Sequence, residues 1–212
     1  VTYPSIWDFV PLNTSGSSEM AEIFGNATVF ESPKPVGVLT EIIRLASGPD
    51  SLVLDFFAGS GTTGHAVMSQ NLSDDGRRRF VLVQLPELTP SDSEARKAGF
   101  PTIATLTAER LRRASKRLKD GSALFAGDLG FRVFKLASSN IRAWEPNRDD
   151  LPTTLQESID HLKSDRTEQD ILFELLLKLG LDLTVPMEQK TIAGKAVHSV
   201  GAGTLMACMA EK

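Results

Sequence analysis

One cysteine among 212 residues excludes an internal disulfide, and three scattered histidines give no zinc-ligand spacing. Cys208 lies in the apolar stretch Leu205–Met209, so it is expected as a buried thiol in a reducing cytoplasm. Long hydrophobic runs are also missing. Runs such as Leu175–Leu177 with its near neighbours fall far short of the ~20 residues that a bilayer crossing needs, so no membrane association is expected. The opening Val1-Thr2-Tyr3-Pro4 has neither the basic nor the apolar region of a secretory signal, and without an initiator Met a fragment or a processed chain is expected. There is no excess of positive charge either. With 23 Lys and Arg against 27 Asp and Glu, the net charge is −4, which argues against a free-standing basic nucleic-acid binder. It leaves open a DNA enzyme whose grip on the duplex lies elsewhere.

What is present suffices for a real core: 41% of the residues are hydrophobic, and the length suits one or two domains. Residues 1–31 mix Ser, Asn and Gly with short apolar patches and read as an irregular lead-in. After Pro33-Lys34-Pro35, the positions Val36, Leu39, Ile42, Ile43 and Ala46 recur at helical spacing, and Gly48-Pro49-Asp50 ends that helix. Ser51–Phe57 is an apolar run of strand length, followed by the glycine-rich Ala58–Gly64 and a short helix through Ala66, Val67 and Gln70. Phe80–Leu85 is a second continuous apolar strand, suited to a covered parallel sheet, and a helix is expected from about Thr102 to Lys119. The order implies a βαβα unit. Gly130–Ala137 alternates like a strand, a helix is expected over about 165–179, and the tail carries hairpin signals around Gly194-Lys195. The expected domains are therefore 32–145 and a small α+β unit over 146–212.

Gly59-Ser60-Gly61-Thr62-Thr63-Gly64 satisfies G-x-G-x-x-G between a strand and a helix, where glycine permits close backbone approach and positive φ. The flanks narrow the ligand. A phosphate-binding P-loop needs Lys-Ser/Thr after its last glycine, and His65-Ala66 stand there instead. A dinucleotide site runs from an apolar strand into its first glycine, whereas here Asp55 ends the strand, followed by Phe56-Phe57-Ala58. A carboxylate repels a pyrophosphate but attracts the sulfonium and ammonium of S-adenosylmethionine, so Asp-x-Phe-x-Gly-x-Gly favours that methyl donor.

From Val53 to Thr63 the sequence resembles the amino-group DNA methyltransferases, with their cofactor motif D-x-F-x-G-[ST]-G-[ST]-[ST]. In a permuted branch a Lys-Pro helix precedes this strand, and Pro33-Lys34-Pro35-Val36 is similar to it. Arg78–Glu87, Gly130–Leu136 and the tail from Asp170 to Pro186 resemble the modification subunits of type III restriction-modification systems. The resemblance implies a partial Rossmann-like methyltransferase sheet and methyl transfer to the exocyclic amine of adenine. It implies S-adenosylmethionine as cofactor, held by Lys34, Pro35, Asp55, Phe56, Phe57, Ala58, Gly59, Ser60, Gly61, Thr62, Thr63, Gln84, Leu85 and Glu87. Among these, Gln84 or Glu87 is the candidate for the ribose hydroxyls, with Glu87 preferred. Ser60, Thr62 and Thr63 offer hydroxyl or backbone donors to the methionine carboxylate at a helix N-terminus. The implied partners are DNA, a second modification chain and a restriction subunit, in the cytoplasm.

The family's catalytic tetrapeptide [DNS]-P-P-[YFW], whose ring stacks on the flipped base, does not occur; Trp144-Glu145-Pro146-Asn147 and Leu151-Pro152 do not satisfy it. No catalytic or metal-ligating residue is therefore assigned, and the chain alone is expected to bind the cofactor with little or no methyl transfer. Arg110–Lys119 carries six cations, read more readily as a solvated helix face than as phosphate contacts. Two rivals stand beside this reading: a dinucleotide-dependent oxidoreductase fragment, and a non-enzymatic remnant or interaction module with the same fold.

Overall fold

The computed structural model describes residues 4, 6–122, 127–142, 147–157 and 162–208. The chain divides into two compact units, Val1–Gly130 and Phe131–Lys212, which are mixed α/β with small sheets.

In the first unit, α1 (Ser15–Phe24) falls inside the segment expected to be irregular. Its helical signal is short: Met20 and Ile23 turn inward one turn apart, and Gly25 stops the helix in the left-handed region at φ 76°. Gly16 lets α1 press on the proline segment, because a Cβ there would lie 2.0 Å from the Pro33 carbonyl oxygen. Next come α2 (Val36–Ala46), β1 (Leu52–Asp55), α3 (Thr62–Asp74) and β2 (Arg79–Leu82). The short α4 (Glu94–Lys97) and the long α5 (Ile103–Gly121) complete the unit. Thr102 and Thr105 form a reciprocal cap that starts α5.

β1 and β2 pair in parallel, with Val53 opposite Phe80 and Leu54 opposite Val81. One face of this ribbon is packed: Val53 and Phe80 meet Ile43, Ala66 and Val67 of α2 and α3. The other face, with Leu52, Leu54, Val81 and Val83, is exposed. Arg78 fastens the far end of the ribbon. Its guanidinium bonds Ser47 at 3.0 Å and Asp74 at 2.9 Å, while both polar atoms of the Asn71 amide hold its backbone.

The second unit contains α6 (Leu151–Glu157), α7 (Glu168–Lys178) and the antiparallel meander β3 (Met187–Ile192), β4 (Lys195–Val200), β5 (Leu205–Cys208). Thr167 and Asp170 cap α7, and Gly180 at φ 70° ends it. Leu172 and Leu176 bury against Val200, with Phe173, Val185 and Leu205 around them. Two expectations fail here. Gly130–Ala137 has no ladder partner among the described residues and is not a strand; Leu136 is 100% exposed. Cys208 is exposed rather than buried, because β5 alternates with Leu205 and Ala207 inward and Met206 and Cys208 outward. Trp144 to Pro146 lie outside the described residues.

No described helix is long and apolar enough to cross a membrane, and no cluster of potential metal ligands occurs among the described residues.

Candidate functional site

The turn from β1 into α3 depends on three glycines for three reasons. Gly59 and Gly61 lie at φ 53° and 83°, where a side chain strains the backbone. A Cβ on Gly61 would also lie 3.0 Å from Thr107 of α5. Gly64 sits in the first turn of α3, where a Cβ would meet Leu111 at 2.8 Å and Leu82 at 2.9 Å. Its smallness lets α3 pack closely between β2 and α5.

Asp55 staples this turn. Its carboxylate accepts the Phe57 amide at 3.0 Å and the Thr63 hydroxyl at 2.5 Å, so the negative charge is held at the strand end. Past it the chain turns two rings outward: Phe56 is 64% and Phe57 86% exposed, and Leu85, beyond β2, is 60% exposed. Ala58 is buried, and its amide bonds the Val83 carbonyl at 3.1 Å.

The hydroxyls of the loop are not outward donors. Ser60, Thr62 and Thr63 are buried. Ser60 and Thr62 accept from Arg110 at 2.6 and 2.7 Å, and the Thr62 hydroxyl also reaches the Lys34 carbonyl at 3.2 Å. The first amides of α3 lack intrahelical partners, and the residues that carry them, Thr62 to Gly64, are buried. The bond to Thr62 brings Lys34 against the loop, with its side chain exposed and Pro35 buried beside it.

Gln84 and Glu87 part company. The Gln84 amide oxygen accepts the Gly59 amide at 2.8 Å and its nitrogen donates to the Leu85 carbonyl at 3.2 Å, so this side chain braces the loop. Glu87 is exposed, and its backbone carbonyl accepts from Ile103 at the start of α5 at 3.0 Å.

Sequence reasoning missed the support behind the loop. The Thr107 hydroxyl donates to the Gly59 carbonyl at 2.5 Å, and a Cβ on Gly59 would lie 3.5 Å from the Phe30 ring. Arg110 is fully buried; besides its two hydroxyl bonds it lies 3.5 Å from the Glu19 carboxylate. Glu19 in turn accepts the Val36 amide at the start of α2 with both oxygens at 3.0 Å. Burial pulls the Arg110 guanidinium down to about 10, with Glu19 opposing, so it is cationic near neutral pH. Burial is also the largest influence on His65, helped by Arg110 and Arg117, and lowers it to about 4. The only signal for Arg110 in the sequence was the Leu106, Arg110, Leu111, Ala114 spacing, which puts this arginine on the apolar side of α5.

Two further arginines of the basic stretch hold α1. Arg113 donates to the Ile23 carbonyl at 3.2 Å and stacks over Phe24 at 4.8 Å, and Arg117 pairs with Glu22 at 3.2 Å.

Residues 1–83 match the DNA methylase family N6_N4_Mtase. The chain is 41% identical over 132 residues to the type III restriction-modification enzyme StyLTI Mod subunit of Salmonella typhimurium, covering 62% of this chain and 20% of that protein. It is 34% identical over 186 residues to the EcoP15I Mod subunit of Escherichia coli, covering 86% of this chain and 27% of the relative. A third relative, the type II methyltransferase M.KpnI of Klebsiella pneumoniae, is 38% identical over 104 residues, 49% of this chain and 25% of its own length. The chain thus spans about a fifth to a quarter of the curated relatives it matches. By these matches the chain is similar to the Mod subunits of type III restriction-modification enzymes, and its residues 1–83 match the DNA methylase family.

Proposed function

We propose that this chain is the S-adenosylmethionine-binding part of a site-specific DNA adenine methyltransferase. The observation that carries the reading is the turn Asp55–Gly64. It joins an anchored carboxylate and exposed aromatic rings to the start of α3 at the end of a parallel strand. These features fit the three parts of the donor. Asp55 faces a cationic sulfonium and amine, Phe56, Phe57 and Leu85 offer apolar surface to adenine and the methionine chain, and the amides of α3 suit a carboxylate. Glu87 is the better candidate for the ribose hydroxyls, since both ends of the Gln84 amide are bonded within the chain. Lys34 and Pro35 border the site through the Thr62 bond. When bound, the cofactor supplies an activated methyl group; the residues here hold and orient it.

The exposed apolar face of β1 and β2 supports a Rossmann-like sheet that further elements complete, because parallel sheets are ordinarily covered on both faces. The missing Pro-Pro tetrapeptide means that transfer to DNA needs residues outside this sequence. DNA, a second modification chain and a restriction subunit are the corresponding partners, in line with the names of the relatives.

Titration calorimetry with S-adenosylhomocysteine and NAD tests the reading: the former binds and the latter does not. Preference for NAD would support an oxidoreductase fragment, and binding of neither would support a remnant. Labelled S-adenosylmethionine and adenine-containing duplex should give little transfer by this chain alone; robust methylation would overturn its dependence on other residues.

A further inference from the structure

We infer that the segment from α1 to Lys34 is a strap whose docking sets the form of the glycine loop, with Glu19 as the positioning residue that joins the two. The segment meets the loop and its support at three places. The Thr62 hydroxyl donates to the Lys34 carbonyl at 3.2 Å, a Cβ on Gly59 would lie 3.5 Å from the Phe30 ring, and Glu19 stands 3.5 Å from Arg110. Arg110 is the relay. Its Nη1 holds the Ser60 and Thr62 hydroxyls at 2.6 and 2.7 Å, while its Nη2 is the atom nearest Glu19. The Glu19 carboxylate also takes the Val36 amide with both oxygens at 3.0 Å, so it ties α1 to the start of α2.

The helix α1 depends on these contacts. It has ten residues, fewer than the roughly 12–15 that an isolated helix needs in water, and its N-cap Thr14 makes no side-chain cap bond. An element of this kind opens locally at a lower cost than the whole unit. Lifting α1 takes Glu19 from the fully buried Arg110, which pairs with no other carboxylate among the described residues. A buried cation without its counter-charge is strongly unfavourable. The relief is for Arg110 to move towards water, and Ser60 and Thr62 then lose their shared donor. Loosening of α1 and loosening of the loop therefore go together. Such coupling is reciprocal, so a ligand that holds the loop must also hold α1. That second statement rests on the cofactor reading above; the first does not.

Amide hydrogen exchange tests both. The Gly59 amide is bonded to Gln84 and the Gly61 amide to the Ala58 carbonyl, so these two report on the loop, and Met20 to Phe24 report on α1. Glu19→Gln keeps an acceptor for the Val36 amide but removes the charge beside Arg110. In the ligand-free chain it should speed exchange about tenfold in α1 and in the loop, and leave the β1 and β2 amides at their original rate. Glu22→Gln breaks the exposed Arg117 pair on the same helix and should change neither segment. Acceleration in α1 without the loop would overturn the inference, as would equal acceleration by both variants. S-adenosylhomocysteine added to the unmodified chain should slow exchange in α1 together with the loop, although α1 supplies no residue of the proposed site. Protection of the loop alone would overturn the coupling, and this arm decides the matter if Glu19→Gln fails to fold. If the unmodified chain does not bind S-adenosylhomocysteine, the cofactor reading fails, and the ligand-free exchange still decides the strap.

Discussion

Asp55 has two roles that one substitution separates. Asn keeps an oxygen for the Phe57 amide and can donate to Thr63 instead of accepting from it, so the turn stays closed while the charge is lost. Asp55→Asn should weaken S-adenosylhomocysteine about tenfold with an almost unchanged melting temperature, whereas Asp55→Ala should also lower that temperature. Calorimetry and thermal unfolding, run together, check both halves; unchanged affinity in the Asn variant would remove the electrostatic role. Gly61→Ala forces a methyl into φ 83° and toward Thr107, which should destabilise the first unit by about 1–2 kcal/mol in chemical denaturation. At this scale the sequence was legible where chemistry is local. The glycines, Asp55 and the rings are read from one strand end. The bracing roles of Gln84, Thr107 and Arg110 come from residues 25 to 50 positions away from the loop, and no spacing rule reaches that far.

Among the elements, β1, α3, β2 and α5 followed their patterns because each has a continuous apolar run or a repeated helical stripe. The helix α1 was hidden because its inward face is only Gly16, Met20 and Ile23, and the charged and aromatic contacts it receives from α5 follow no local spacing. Met20 is fully buried beside Val29 and Leu106, so Met20→Ala should cost about 2–5 kcal/mol. The exposed Arg117–Glu22 pair should contribute under about 1 kcal/mol, and breaking it should pass almost unnoticed. Denaturant titrations of the two variants distinguish packing from charge as the main anchor. Gly130–Ala137 shows the opposite error. Alternation of side chains is a condition for a half-buried strand, but the hydrogen-bonded neighbour that makes one is absent from the described residues there.

For the whole molecule, the two units should respond differently to acid. His65 is kept neutral down to about pH 4 in the folded first unit, while an unfolded chain protonates it around 6.5. The unfolded state therefore binds more protons across that window, and stability falls as pH drops from about 6.5 to about 4. Glu19, pushed up mainly by burial, works in the opposite direction. In the second unit the Ser139 hydroxyl, the Asn140 amide and Lys178 hold Glu174 at about 2. Its contribution is present above its ordinary 4.5 and is lost only as pH falls from there towards 2. Hydrogen exchange read by segment across an acid series should show protection lost in residues 1–130 at a higher pH than in 131–208. His65→Asn should narrow that gap, and simultaneous loss in both segments would contradict it.

The uncovered face of β1 and β2 sets how this polypeptide behaves on the bench. Leu52, Leu54, Val81 and Val83 form an oily stripe that water must wet. Retention on a phenyl resin should be strong and should rise with ammonium sulfate. Yields should improve in mild detergent or at low ionic strength, and replacing Leu54 and Val81 by Thr should release the chain early from the column.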